Sequence, residues 1–265
     1  MIPDSAELKA LLDFAVALAR HAGEITNRYF KGSFVAERKA DNSFVTAADR
    51  EAEKYLRTQI EKAFPEDAIL GEEEGGKLGR SNRRWILDPI DGTYSFVRGV
   101  PLYGVLIGLE IDSEAVLGVV NLPALDEVIC AALGLGCFWN DAPARVSATE
   151  SLSDALLLAT DFGSCERYGF GRAAEILQRQ VNARRTWGDV YGHVLVATGR
   201  ADIMLDPIMN VWDCAPLLPI VEEAGGTFTD WRGQKTIHGG NAISTNRVLF
   251  EPVMAAIRDA ERSQC

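Results

Sequence analysis

The chain holds only three histidines and five cysteines in 265 residues, and neither set has the spacing a zinc site needs. Cys130, Cys137, Cys165, Cys214 and Cys265 form no C-x-x-C pair, and their odd number argues against a closed disulfide framework. A reducing setting, the cytoplasm, is expected. His21, His193 and His238 show no ligand spacing either, and His193, inside an apolar helical run, is expected in the core. No apolar run approaches the ~18 residues of a membrane span, and Asp4, Glu7, Lys9 and Asp13 interrupt the stretch where a signal peptide would be apolar. No membrane partner is expected. Basic residues are also scarce: 27 Lys and Arg face 38 Asp and Glu, a net charge of −11. Affinity for a nucleic-acid backbone comes from Lys and Arg releasing counterions, so nucleic acid is not an expected partner. Repeats, low-complexity tracts and Gly/Ser linkers are missing as well.

What is present is core-forming material, with 47% of the residues apolar. A chain of this length buries roughly 70–75% of its unfolded surface. Apolar residues recur at three- and four-residue steps after a capping-box pattern at Asp4 and Glu7, which predicts a helix over 4–30. The same grammar, from Thr46 and Asp49 to Pro65, predicts a second helix, with a short strand over 35–39 between them. Short apolar runs over 85–87, 103–111, 115–120, 128–132 and 137–139 read as a sheet. Asp112 and Ser113 form a hairpin turn that makes part of it antiparallel. Strands over 155–160, 201–205 and 227–230 then alternate with helices over 172–180, 189–198 and 213–224, an α/β half. The expected division is an N-terminal α+β unit over 1–150 and a C-terminal α/β unit over 151–265, sharing an extensive interface.

The informative segment is W-I-L-D-P-I-D-G-T over 85–93. An apolar strand delivers Asp88 and Asp91 around Pro89, which disfavours helix at Asp88. A turn there aims both carboxylates and the Ile90 carbonyl at one point, and Gly92 lets backbone approach a ligand closely. A helix starting after Gly92 would leave the N–H groups of Gly92 and Thr93 as donors for a phosphate. Two further acidic positions have similar settings: Glu72, Glu73 and Glu74 follow a strand-like run, and Asp213 stands where a helix starts. Carboxylates converging within ~4 Å repel by about 4 kcal/mol per pair at an effective dielectric of 20, so the cluster needs cations. Oxygen-only ligands suit Mg²⁺ or Mn²⁺. Taken singly, Asp88 and Asp91 also suit turns, Asp213 an N-cap, Glu73 and Glu74 solvated surface, and Asp49 the dipole of its helix. The combination, in this order on these element ends, is what points to a site.

With these motifs, and with E-A-G-G over 223–226 after Trp212 and Asp213, the chain resembles the inositol monophosphatase-like, Mg²⁺-dependent, lithium-sensitive phosphatases over essentially its whole length. The resemblance implies an α/β fold, the αβαβα five-layer sandwich of the inositol monophosphatase and fructose-1,6-bisphosphatase type, usually as a homodimer. It implies Glu72, Asp88, the Ile90 carbonyl, Asp91 and Asp213 as ligands for two or three Mg²⁺ ions, with Mn²⁺ as an alternative. Gly92 and Thr93 would hold the phosphate of a small monoester. Asp49 would hydrogen-bond Thr93, which together with Glu72 activates the attacking water. Residues 91–103, R-T-W-G-D over 185–189 and T-D-W-R-G over 229–233 look like the histidinol-phosphate phosphatase branch, with a departure at Tyr94, where that branch commonly has Lys. The implied substrate-binding residues are Arg185, Asp189 and Asp206. Histidinol phosphate carries an ammonium and an imidazole that Asp189 and Asp206 can meet. The alternative is an inositol-1-monophosphatase or broad sugar phosphatase of the same fold. A non-enzymatic, RNA-associated relative would show eroded ligands or a basic face, and this chain has neither.

Overall fold

The computed structural model describes residues 3–32, 37–38 and 44–262. Cys265 and residues 35, 36 and 39 of the expected strand therefore lie outside the described residues. In chain order the elements begin with α1 (Ser5–Tyr29), β1 (Glu37–Arg38), β2 (Phe44–Val45), α2 (Ala47–Ala63), β3 (Ala68–Gly71), β4 (Gly75–Lys77) and β5 (Arg83–Asp91). Then come α3 (Thr93–Val97), β6 (Gly104–Ile111), β7 (Glu114–Leu122), β8 (Glu127–Ala132), β9 (Gly136–Trp139) and β10 (Ala142–Pro143). The second half comprises β11 (Leu156–Ala159), α4 (Phe162–Arg167), α5 (Gly171–Gln180), β12 (Ala183–Arg185), α6 (Asp189–Ala197) and β13 (Ile203–Asp206). It closes with α7 (Val211–Glu223), β14 (Gly226–Thr229), β15 (Ala242–Asn246) and α8 (Phe250–Arg262).

Two sheets organise these elements. The first runs β10-β9-β8-β7-β6-β5-β3-β4, antiparallel except for the β3/β5 pair. The second runs β12-β11-β13-β15-β14, parallel over its first three strands. The expected hairpin joins β6 and β7, and its two residues, Asp112 (φ 52°) and Ser113 (φ 66°), take the left-handed pair of conformations that matches strand twist.

Side-chain alternation decides the layers. In β5, Trp85 and Leu87 point to one face, where they join Leu11, Leu12, Leu18 and Ile25 of α1 and Leu56 and Ile60 of α2. Ile86 points to the other face with Leu106 and Val120, and meets Val190 and Val194 of α6 and Ala215 and Leu217 of α7. Each buried Leu or Ile contributes roughly 1.5–3 kcal/mol, and because helices cover both faces the strands read as unbroken apolar runs. The second sheet repeats the scheme. Leu158 and Met204 pack with Leu195 and Val196 of α6, while Leu157, Ile203 and Ile243 pack with Leu177 of α5 and Val253 and Ile257 of α8. The order is helices, sheet, helices, sheet, helices, the expected αβαβα sandwich. The middle layer lies close on the first sheet because Gly118 has no side chain: a Cβ there would stand 1.9 Å from the Pro216 carbonyl oxygen.

The differences from the sequence reading have physical reasons. The strand predicted over 85–87 continues through Pro89 to Asp91, because β3 ends opposite Leu87 and the missing N–H of Pro89 removes no ladder bond on that side. The turn expected at Asp88 is a β-bulge: Asp88 pairs Leu106 and Asp91 pairs Gly104, so three residues on β5 span two on β6. The helices expected from Asp189 and Asp213 start at Asp189 and Val211, capped by Gly188 and Asn210. Neither Asp is therefore an N-cap. Seven of these elements had no counterpart in the reading: β2, β4, β10, α4, β12, β15 and α8.

Candidate active site

The site assembles where strands of both sheets end and helices of the middle layer begin. The bulge carries its chemistry. In an unbroken strand, residues three apart face opposite sides; the extra residue between Asp88 and Asp91 brings both carboxylates to one side. Asp88 Oδ1 accepts the Ile90 N–H at 2.9 Å and so stabilises the bulge from within. Gly92 follows in the left-handed region (φ 79°), and a Cβ there would stand 2.8 Å from the Leu102 carbonyl oxygen and 3.4 Å from Asp189 Oδ2. Only glycine fits both demands. The chain then enters α3 at Thr93, whose hydroxyl donates to the Ile90 carbonyl at 3.0 Å.

Asp213 arrives from the second half in the first turn of α7, where its Oδ2 accepts the Asn210 N–H at 2.7 Å. One carboxylate oxygen from each of Asp88, Asp91 and Asp213 lies within 4.8 Å of the others. Glu72, directly after β3, lies within electrostatic reach of Asp88, Asp213 and Asp49. The titration of the group records the crowding. Burial, then the charges of Glu72, Asp91 and Asp213, push Asp88 well above the ordinary carboxylate range. Burial and Asp189 do the same to Asp91, against the downward pull of the Val190 amide, which donates to Asp91 Oδ2 at 2.6 Å. Asp213 is pushed up to about 7, chiefly by burial, against the Asn210 amide. Acids packed this closely cannot all ionise without a cation, and the donor set is all oxygen, so the residues fit a hard divalent ion.

Behind Asp91 and Asp213 opens a cavity of about 190 Å³ lined by Thr160, Ser164, Asp189, Asp206, Ile208 and Met209. The structure thus brings Asp189 and Asp206 beside the cluster. Arg185 stands elsewhere: its guanidinium is exposed, donates to the Arg184 carbonyl at 2.7 Å and lies over the Trp187 ring at 6.0 Å, outside the cavity lining. Trp231 is buried, stacks on Phe170 and donates from Nε1 to the Asp206 carbonyl at 3.0 Å. It is a packing residue that also fixes the Asp206 backbone. His193 is in the core as expected, on Ser244 Oγ at 2.7 Å, and burial pushes it down to about 3.

Asp49 differs from expectation. Its Oδ2 accepts the Thr46 N–H at 2.8 Å and the Thr46 hydroxyl at 2.6 Å, a capping box, while Oδ1 is buried with no hydrogen-bond partner among the described residues. The expected bond to Thr93 is not made, because the Thr93 hydroxyl donates to Ile90. Burial nevertheless pushes Asp49 up to about 6, and the Glu72 charge adds to the effect.

Two residues that sequence reasoning passed over hold Glu72 in place. Glu53 of α2 is buried and accepts the N–H groups of Glu73 at 2.8 Å and Glu74 at 3.0 Å, while Arg57 binds Glu53 Oε1 at 2.7 Å and the Gly75 carbonyl. Glu73 and Glu74 are therefore tied down through their backbones. The signal was an acid and a base four apart on the buried side of α2. Removing one partner of a buried pair leaves an uncompensated charge, at about 3–5 kcal/mol. Glu53→Ala is expected to lower the melting temperature by roughly 6–20 °C and to reduce kcat through a loosened Glu72. Unchanged calorimetric melting would refute the clamp.

An αβαβα sandwich with a wholly oxygen-donating acidic cluster at its strand and helix ends is the frame of a metal-dependent phosphoric monoester hydrolase. The chain belongs to the inositol monophosphatase family, whose sequence model matches residues 7–262. It is 43% identical over 255 residues to the histidinol-phosphatase of Chlorobaculum parvum, with 96% of this chain and 98% of that one covered. It is 38% identical over 252 residues to the histidinol-phosphatase of Mycobacterium tuberculosis, covering 93% and 97%. The solved extragenic suppressor protein suhB from Bartonella henselae matches with a TM-score of 0.88 at 30% identity, over 94% of this chain and 98% of that one.

Proposed function

We propose that the chain is a Mg²⁺-dependent histidinol-phosphate phosphatase, hydrolysing L-histidinol phosphate to L-histidinol and phosphate in histidine biosynthesis. The observation that carries the substrate is the cavity wall. Asp91, Asp189, Asp206 and Asp213 line it, and no basic side chain is among its described lining residues. A polyol leaving group would call for mixed donors and acceptors; an ammonium and an imidazole call for carboxylates. The two relatives named histidinol-phosphatase support the same reading.

In this reading Glu72, Asp88, the Ile90 carbonyl, Asp91 and Asp213 hold Mg²⁺, with two or three ions at the site and Mn²⁺ as an alternative. Bound divalent ions would neutralise the phosphate and acidify the attacking water. The chain supplies the rest. Gly92 and Thr93 present backbone N–H groups to the phosphate oxygens, where preorganised donors are worth most as charge develops. Glu72 and the Thr93 hydroxyl orient the water and accept its proton, and Asp49, close enough to feel the Glu72 charge, has Oδ1 uncommitted as an acceptor for Thr93. Asp189 and Asp206 hold the cationic end of the substrate, so the ester oxygen leaves along a fixed line. We take the working enzyme to be a cytoplasmic homodimer, on the family resemblance and on the free thiols of Cys130, Cys137, Cys165 and Cys214, which suit a reducing compartment.

Phosphate release from histidinol phosphate, inositol 1-phosphate, fructose 1,6-bisphosphate and 3′-phosphoadenosine 5′-phosphate, with Mg²⁺ and with EDTA, tests the assignment. The expected result is a kcat/KM for histidinol phosphate at least roughly tenfold above the others, the value of about one charged contact, and no activity in EDTA. Equal turnover of inositol 1-phosphate would sink the substrate, and full activity in EDTA would sink the metal.

A further inference from the structure

One hydroxyl joins the two acids of the cavity wall. Thr160, at the end of β11, accepts the Asp189 N–H on Oγ1 at 2.8 Å and donates the same hydroxyl to Asp206 Oδ2 at 3.0 Å. The polarity of this bridge is fixed. The amide can only donate, so the single proton of the hydroxyl must go to the carboxylate.

The bridge holds an otherwise unfavourable turn. Asp189 is in the left-handed region (φ 51°), which a non-glycine residue keeps only when its surroundings over-determine it. Three contacts do so here. The Asp189 amide is on Thr160, the next amide, of Val190, is on Asp91 Oδ2 at 2.6 Å, and Gly188 lies flat on the strand end, where a Cβ would stand 2.1 Å from Thr160 Cα. The left-handed turn is what swings the Asp189 carboxylate over Gly92, 3.4 Å from where a Cβ would be. Thr160 is β-branched and stiff at χ1, so its hydroxyl is a rigid spacer between the two acids.

We propose that Thr160 is the positioning residue for substrate selection: its bridging hydroxyl sets the spacing of Asp189 and Asp206 and so matches the pair to a cationic amino-alcohol leaving group. The inference rests on the histidinol-phosphate reading for the identity of the substrate. Thr160→Val keeps the shape and removes the bridge, leaving the Asp189 amide without its acceptor and Asp206 with the Ile208 amide but without its side-chain donor. The Val190 amide and the Gly188 packing still hold the turn, but nothing then ties the Asp189 backbone to the Asp206 carboxylate and fixes the spacing of the two acids.

Steady-state kinetics of the wild type, Thr160→Val and Thr160→Ser on histidinol phosphate and on 4-nitrophenyl phosphate, whose leaving group carries no cation, tests this. In Thr160→Val the KM for histidinol phosphate is expected to rise relative to that for the aryl ester by roughly tenfold, the loss of one hydrogen bond to a charged group. The ratio of the two kcat values should stay near that of the wild type. Thr160→Ser, which retains the hydroxyl, restores most of the KM; a merely structural defect would raise both KM values together and would not follow the hydroxyl. If Thr160→Val does not fold, Thr160→Ala carries the same expectation. Equal rises for both substrates, or no recovery in Thr160→Ser, overturn the inference alone. A wild type with no preference for histidinol phosphate overturns the functional reading and the inference with it.

Discussion

Asp88→Asn is expected to abolish turnover while making the metal-free protein more stable. The amide is isosteric, and its Oδ1 can still accept the Ile90 N–H that holds the bulge, so the backbone around the site survives. What changes is charge. Asp88 is buried and crowded by Glu72, Asp91 and Asp213, which is why its carboxyl sits far above the usual range. With Asn in its place the cluster loses one anionic oxygen, and its NH₂ group must face carboxylates that would otherwise share a cation. The expected loss in kcat/KM at saturating Mg²⁺ is on the order of a thousandfold, about 4 kcal/mol of barrier. In EDTA the repulsion is relieved by roughly 1–2 kcal/mol, which raises the melting temperature of a chain this size by about 2–8 °C. Phosphate release and calorimetry on the same preparation read both signs. Activity within tenfold of the wild type would sink the assignment of Asp88 to the metal. A lower melting temperature in EDTA would show that Asp88 supports the fold rather than straining it. Opposite signs are the mark of a residue kept for chemistry at a cost in stability.

Much of this was legible in the sequence, and what was missed has identifiable causes. α1 and α2 were visible because Leu11, Leu18 and Ile25, or Ala52, Leu56 and Ile60, recur at helical spacing against charged neighbours. The 85–93 segment was visible because proline, glycine and two aspartates seldom meet at the end of an apolar strand. β15 was hidden: Ser244, Thr245 and Asn246 are polar yet buried, and what makes them a strand is tertiary. Ser244 bonds His193, Thr245 bonds Thr227 at 2.7 Å, and Asn246 bonds Ser147 at 2.9 Å. α8 did carry its signal, with Val253, Ile257 and Ala260 spaced by four and three at the end of the chain. At the site, the acids that meet in the cluster were found, and the residues that hold them in place, Thr160, Glu53 and Arg57, were not. Thr160 accepts an amide from 29 residues away, a contact that leaves no local pattern, and Glu53, though its i,i+4 pair with Arg57 is visible in the sequence, meets its target 20 residues away only in the fold. The bulge was read as a turn because the register of β5 against β6 is a property of the pair.

Without metal, the fold is expected to lose stability as the pH rises from about 6.5 to 8, and Mg²⁺ is expected to reverse the trend. Asp213 sits at about 7 and Asp49 and Asp189 at about 6, all from ordinary values of 3.8, while Asp88, Asp91 and Asp206 lie well above that value, burial being the first cause in each. Each carboxyl binds its proton more tightly in the folded chain than in the unfolded one. Its stabilising contribution is therefore complete below pH 4 and is lost as the pH climbs through the folded value. His193 works in the other direction. Its ring is buried neutral and pushed down to about 3 from 6.5, so the unfolded chain binds the extra proton and stability falls as the pH drops below 6.5. Six carboxyls outweigh one imidazole, so the balance of these groups already falls with pH from about 4, and the opposing gain from His193 ends near pH 6.5. Above that point only the carboxylates titrate. One unit of displacement is worth about 1.4 kcal/mol, and because Asp213 and Asp91 are open to solvent on one side the net loss by pH 8 is on the order of 2 kcal/mol. That corresponds to roughly 4–8 °C in melting temperature. A divalent ion takes the place of the protons, so the stabilisation by Mg²⁺ must be larger at pH 8 than at pH 6, where protons compete for the same oxygens. Calorimetric melting in EDTA and in Mg²⁺ across this range decides it. A melting temperature in EDTA that stays level from pH 6.5 to 8, or a Mg²⁺ shift that is no greater at pH 8, would mean that Asp88, Asp91 and Asp213 do not form one electrostatically coupled cation site.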